Sequence, residues 1–168
     1  MNTSVKKSTL TPLILLALVG LLSWVVGATA MPVSHTDNGR RIFLYGMTAG
    51  GMVVENSHGM EGVGCAMCHG SDGHGGEMHG IPAPDITFSR LTDPHGHEHE
   101  AMGRRHPAFN RETIKAAIVA GVDPAGNTLH EEMPRWTGIS AHDLEDLIDY
   151  LQFLSRSRRP PTPTPERM

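Results

Sequence analysis

The sequence predicts an all-α fold of short helices separated by long loops, and three observations carry that expectation. A capped, strongly amphipathic segment stands near the C-terminus, and a second capped segment precedes it. Between an N-terminal helical stretch and these two, residues 70–109 show little apolar periodicity and many Gly, Pro and His residues.

Taken in order, residues 1–30 read as an export leader. Lys6 and Lys7 precede an uncharged run from Leu13 to Gly27, and Ala28-Thr29-Ala30 has the small-residue pattern of a cleavage site. An uncleaved anchor is the alternative, because the apolar stretch within residues 10–30 is at the short limit for spanning a bilayer. Either reading delivers the rest of the chain to the periplasm or to the outer face of the cytoplasmic membrane.

The domain itself is expected over residues 36–157. From Thr36 to about Met47, cap-competent Thr36, Asp37 and Asn38 stand before Ile42, Phe43 and Tyr45, which predicts a short helix ended by Gly46. Residues 48–64, with five glycines, read as an irregular insert in which Met52–Val54 is at most a strand fragment. Residues 70–109 read as one long wrapped loop. Asn110 then caps a helix with Ile114, Ala117 and Ile118 on one face, stopped by Gly121. Ser140, with Asp143 three residues on, opens a core-facing helix over 141–156 whose apolar face is Leu144, Leu147, Ile148, Leu151 and Leu154. The Pro-rich tail, 158–168, is expected to be disordered or extended.

Without residues 1–30 the chain keeps 12 basic and 18 acidic side chains, a net charge of −6, which disfavours nucleic acid as a partner. It also keeps seven aromatic residues against 17 glycines and 11 prolines, a thin core for 138 residues.

The two cysteines stand in Cys65-Ala66-Met67-Cys68-His69. Thiols three positions apart can each reach one vinyl group of a porphyrin, and the adjacent imidazole can then ligate its iron, so the pattern reads as attachment of one covalent haem c. A structural disulfide would close only a tiny loop and leave His69 unexplained. A thioredoxin-like pair lacks its βαβ context, and a zinc site lacks a second ligand pair at finger spacing.

With this motif the chain resembles the class I cytochromes c, from about Gly39 to Leu154. The resemblance implies the cytochrome c fold, with three to five short helices wrapped around one haem. Gly39 and Phe43 are similar to the family's small and aromatic pair on the first helix, which crosses the last helix at positions matched by Leu147 and Tyr150. Pro84 matches the proline whose carbonyl accepts the proximal imidazole proton. Met133, in Glu132-Met133-Pro134-Arg135-Trp136, resembles the family's distal ligand, which would join His69 as the second axial ligand of the iron. His130 is its rival. Arg135 and Trp136 match positions near a haem propionate, against a plainer reading as a surface Arg and a core Trp. Met47, Met52, Met60, Met78 and Met102 need no role beyond packing or exposure.

Two features depart from compact members of that family. The 26 positions from Gly39 to Cys65 imply an extra excursion. The run 93–106 concentrates four histidines, and in an extended segment His95, His97 and His99 would share one side, where copper, nickel or zinc could be held. The same run also reads as an ordinary solvated loop. His58, His74 and His79 lie in Gly-rich surroundings and are weaker candidates for iron.

The function expected from this reading is single-electron transfer between donor and acceptor proteins by an exported carrier. No catalytic nucleophile motif or nucleotide fingerprint points to an enzyme. The alternatives are a haem enzyme or gas sensor with an open sixth position, the haem subunit of a larger periplasmic dehydrogenase or oxidase, and a metal-handling protein using the histidine run.

Overall fold

The computed structural model describes residues 34–99 and 103–157; the expected leader, 1–30, and the expected disordered tail, 158–168, lie outside them. Helix α1 spans His35–Tyr45. Its cap is Ser34, whose Oγ accepts from the Asp37 amide at 3.1 Å, rather than Thr36, Asp37 or Asn38. Those three lie inside the helix, and Asn38 is spent on a buried contact described below. Gly46, in the left-handed region at φ 60°, closes the helix by donating to the Ile42 carbonyl at 2.9 Å.

The last helix, α5, spans Ala141–Ser157. Ser140 Oγ accepts from the Asp143 amide at 3.1 Å, and all five apolar positions expected on its inner face are buried. Helices α1 and α5 cross at Gly39. A Cβ there would lie 1.9 Å from the Asp146 carbonyl oxygen, so only glycine admits the approach. Phe43 and Tyr150 meet beside the crossing with ring centroids 5.4 Å apart. Full burial of Ile42, Phe43, Leu147 and Ile148 contributes about 2 kcal/mol apiece before chain entropy is charged.

Helix α4, Arg111–Ala120, has a reciprocal capping box between Asn110 and Thr113 and ends at Gly121, φ 68°. Ile114, Ala117 and Ile118 are buried, as its periodicity predicts. The Arg111 guanidinium ties it to Glu145 and Asp149 of α5 at 2.5 and 2.8 Å.

The segment 70–109 is less irregular than expected. Strands β1, Gly76–Met78, and β2, Ile81–Ala83, form an antiparallel hairpin. His79 and Gly80, with φ of 51° and 79°, make a two-residue turn of the hand that hairpins favour. A single helical turn, α3, covers Phe88–Leu91, and a second hairpin pairs β3, His97–His99, with β4, Arg104–His106.

The excursion 48–64 is a buttress. After an isolated bridge from Met47 to Val53 it pairs with the segment before α5: Asn56 bridges Trp136, the Ser57 amide donates to the Arg135 carbonyl at 2.9 Å, and the Thr137 amide donates to the Glu55 carbonyl at 3.1 Å. Val54 is buried beneath it.

Candidate functional site

The Cys65–His69 motif forms a short helix, α2, Ala66–His69, with Cys65 as its N-cap. The His69 amide donates to the Cys65 carbonyl at 3.0 Å, which brings the two cysteines and the histidine onto adjacent turns. Gly64 seats this turn on α1, since a Cβ at that position would be 2.2 Å from the Phe43 carbonyl oxygen. Neither thiol is in a disulfide. Burial pushes the Cys65 thiol up to about 12 and also raises Cys68, which Glu132 pushes further.

His69 is buried, and its Nδ1 lies 2.8 Å from the Pro84 carbonyl oxygen. A carbonyl only accepts, so the proton is on Nδ1 and Nε2 keeps its lone pair for a metal. Burial lowers the imidazole's affinity for a second proton, and the Pro84 bond and the Asp85 charge oppose that only in part.

The first hairpin explains where that carbonyl comes from. Strand β2 ends at Ala83, next to Pro84. The Gly75 amide donates to the His69 carbonyl at 2.9 Å, and the Ile86 amide donates to the Gly73 carbonyl at 2.8 Å. Asp85 Oδ1 then accepts from the Thr87 amide and hydroxyl at 2.8 and 2.7 Å, while its other oxygen meets His74 Nδ1 at 2.8 Å.

His69, Cys65, Cys68 and Met133 line one cavity of about 430 Å³. Its walls are predominantly apolar and include Ile81, Ile86, Leu91, Phe109, Ile118, Trp136 and Leu151. An apolar chamber with two thiols, a neutral imidazole of fixed tautomer and a thioether on its walls fits a haem in both size and donor set. It also accounts for the shortage of aromatic residues, because the short elements pack around this space.

Met133 is half-buried. Its amide donates to the His130 carbonyl at 3.1 Å, and its own carbonyl accepts from the Arg135 guanidinium. Arg135 also donates to the Leu129 carbonyl at 2.9 Å. The guanidinium lies over Gly121, where a Cβ would overlap Arg135 Nε at 1.7 Å. Arg135 therefore braces the 129–135 segment through the Leu129 and Met133 carbonyls. Trp136 is buried and does line the cavity. His130 also lines it, but its Nδ1 accepts from the Glu132 amide at 3.2 Å. That puts the imidazole proton on Nε2, so neither ring nitrogen offers a free lone pair.

His95 and His97 do not share one face, and the side chain of His99 lies outside the described residues. His95 is exposed and its Nδ1 lies 2.9 Å from Asp93 Oδ1. Gly96, at φ 70°, then turns the chain, and His97 is buried with Nε2 3.2 Å from the Leu91 carbonyl oxygen. His97 faces His106 across the second hairpin, their ring centroids 5.0 Å apart. Both line the cavity, as do Arg90 and Arg104; sequence reasoning named His97 only as a ligand for a second metal and placed none of the four on the cavity wall. Strand pairing with His97 opposite His106 was the missing signal. His58, His74 and His79 do not line the cavity and bond to the Glu131 carbonyl, Asp85 and Glu132.

The sequence model of the family described as Cytochrome c matches residues 50–155, well over half of the chain. No curated protein and no solved structure matches it. The five helices among the described residues with their short hairpins, the thiol and imidazole wall and this match agree, and the chain belongs to the cytochrome c family, whose members carry covalently bound haem c and exchange electrons with redox proteins.

Proposed function

We propose that the protein is an exported monohaem electron carrier, with haem c joined to Cys65 and Cys68 and its iron held by His69 and Met133. The observation that carries this reading is the His69 to Pro84 hydrogen bond inside an apolar cavity that the two thiols and Met133 also line. Bound there, the haem supplies one-electron chemistry between its ferric and ferrous states.

The chain's own residues do the rest. Cys65 and Cys68 tether. His69 presents an unprotonated Nε2, made more basic by the bond from Nδ1–H to Pro84. Met133 supplies a soft sulfur that favours the reduced state relative to a second imidazole, and the tautomer of His130 supports Met133 over that rival. Arg135 holds the Met133 loop, and the apolar wall keeps water from the centre.

The net charge of −6 sets the docking chemistry. The single lysine after the leader, Lys115, is paired with Glu112 and Glu145, so a partner meets basic-to-acidic or apolar contact rather than a ring of lysines. The test is the optical spectrum of purified protein. The ferric form is expected to show a sulfur-to-iron charge-transfer band that Met133→Ala abolishes and His130→Ala leaves in place. A spectrum unchanged by Met133→Ala overturns the ligand assignment.

A further inference from the structure

The α1–α5 crossing carries a second cluster of ligating groups, away from the haem cavity. His35, in the first turn of α1, and His142 and Asp146, one turn apart on α5, each offer a ligand atom within 4.8 Å of the others. The Asp146 carboxylate is buried, 3% exposed, whereas both histidines face solvent. His142 Nε2 is 3.7 Å from Asp146 Oδ2, and His35 Nδ1 is 2.6 Å from Oδ1. Tetrahedral zinc with bonds of about 2.0–2.1 Å keeps its ligand atoms about 3.3–3.5 Å apart, a spacing these side chains reach by small rotations.

We propose that His35, His142 and Asp146 form a second metal site, for one divalent late first-row ion such as zinc or copper. Two imidazoles and one carboxylate are a donor set for such ions. Asn38 Nδ2 donates to Asp146 Oδ2 at 2.7 Å and to Asp143 Oδ1 at 2.8 Å, which orients the buried carboxylate as outer partners do in metal sites. The Gly39 contact fixes the two helices that bear the ligands, so the site is built on rigid elements. The adjoining cleft is lined by Thr48, Gly50, Met52 and Asp143, with no Lys or Arg on its wall. It is acidic and roomy enough for water to complete the coordination. None of the three ligands lines the haem cavity, so the site stands independently of the haem assignment.

The test is zinc uptake by the haem-loaded protein, measured by competition with a chromophoric chelator. Zinc is redox-inert and leaves the haem spectrum as a fold check. The expected result is one equivalent at micromolar free zinc, retained by His95→Ala and weakened about 10- to 100-fold in His35→Ala and in His142→Ala. Both substituted side chains are exposed, and each single variant serves as a check on the folding of the other. Absence of uptake at micromolar zinc, or uptake with unchanged stoichiometry and affinity in both variants, overturns the proposal.

Discussion

Replacing Gly39 by alanine tests the packing that places every element around the cavity. The new Cβ would sit 1.9 Å from the Asp146 carbonyl oxygen, 2.5 Å from its carbon and 2.9 Å from Tyr150 Cβ. Ordinary contact begins near 3.4 Å, so α1 and α5 must separate by about 1.5 Å. Two of the three clashing atoms are backbone, and no rotamer relieves them. Overpacking of this kind costs about 1–3 kcal/mol, and the gap would also thin the contacts of Phe43, Leu147 and Ile148. Alanine returns up to about 1 kcal/mol through helix propensity. A net loss of about 1–2 kcal/mol follows, which lowers the guanidinium midpoint of the haem-loaded protein by about 0.25–0.5 M at a slope of about 4 kcal/mol/M. Gly50→Ala is the control, because its Cβ would meet only Thr48 Oγ1, at 3.8 Å, and its stability should stay within about 0.5 kcal/mol of the parent. If Gly39→Ala unfolds at the same midpoint as Gly50→Ala, the crossing does not bear on stability as argued.

Three further outcomes are expected. Arg135→Gln removes two carbonyl bonds from the Met133 loop; a loss of about 1.4 kcal/mol against opening gives roughly tenfold faster cyanide binding to the ferric protein, and an unchanged rate refutes the brace. Burial raises the Asp123 carboxyl, but hydrogen bonds from Asn127 and the Ala125 amide outweigh it and leave the group below its usual range. Its contribution is complete above the unfolded value of about 3.9 and is lost as pH falls through the lower folded value. Asp123→Asn should therefore cost about 2–3 kcal/mol near neutrality and approach the parent only as pH falls through the lowered folded value, as urea titrations at several pH values would reveal. Gly75→Ala, at φ 104° and with its Cβ 2.8 Å from the Ala83 carbonyl oxygen, should displace Pro84, weaken the His69 bond and raise the reduction potential, since a less basic imidazole stabilises the ferric state less; voltammetry showing the parent potential would count against that role of the hairpin.

What could be read from the sequence was what is encoded locally. Asn110 and Ser140 cap through neighbours three residues away, and the apolar faces of α4 and α5 recur at helical spacing, so both helices were legible. So was Cys65–His69, because the chemistry itself fixes its spacing. The hairpins were not: strands of three residues leave no alternation to detect, and His97 looks no different from His95 until Gly96 turns one inward. The bracing contacts of Arg135 were not legible because its carbonyl partners are set by a loop and by Gly121, not by a side-chain pattern. Asp146 reads as a polar position on an amphipathic helix, and its burial follows from contact with a segment 108 and more positions away.

That last separation has a consequence for how the chain comes into being. Synthesis proceeds from the N-terminus, and the groove that receives α1 belongs to residues made about a hundred positions later. At roughly 5–20 residues per second, α5 is made on the order of 5–20 s after α1, and Ile42 and Phe43 stay uncovered at least that long. A nonsense codon before residue 141 would therefore not leave a smaller cytochrome. It would leave a chain whose beginning has lost its end, open to proteases along its whole length.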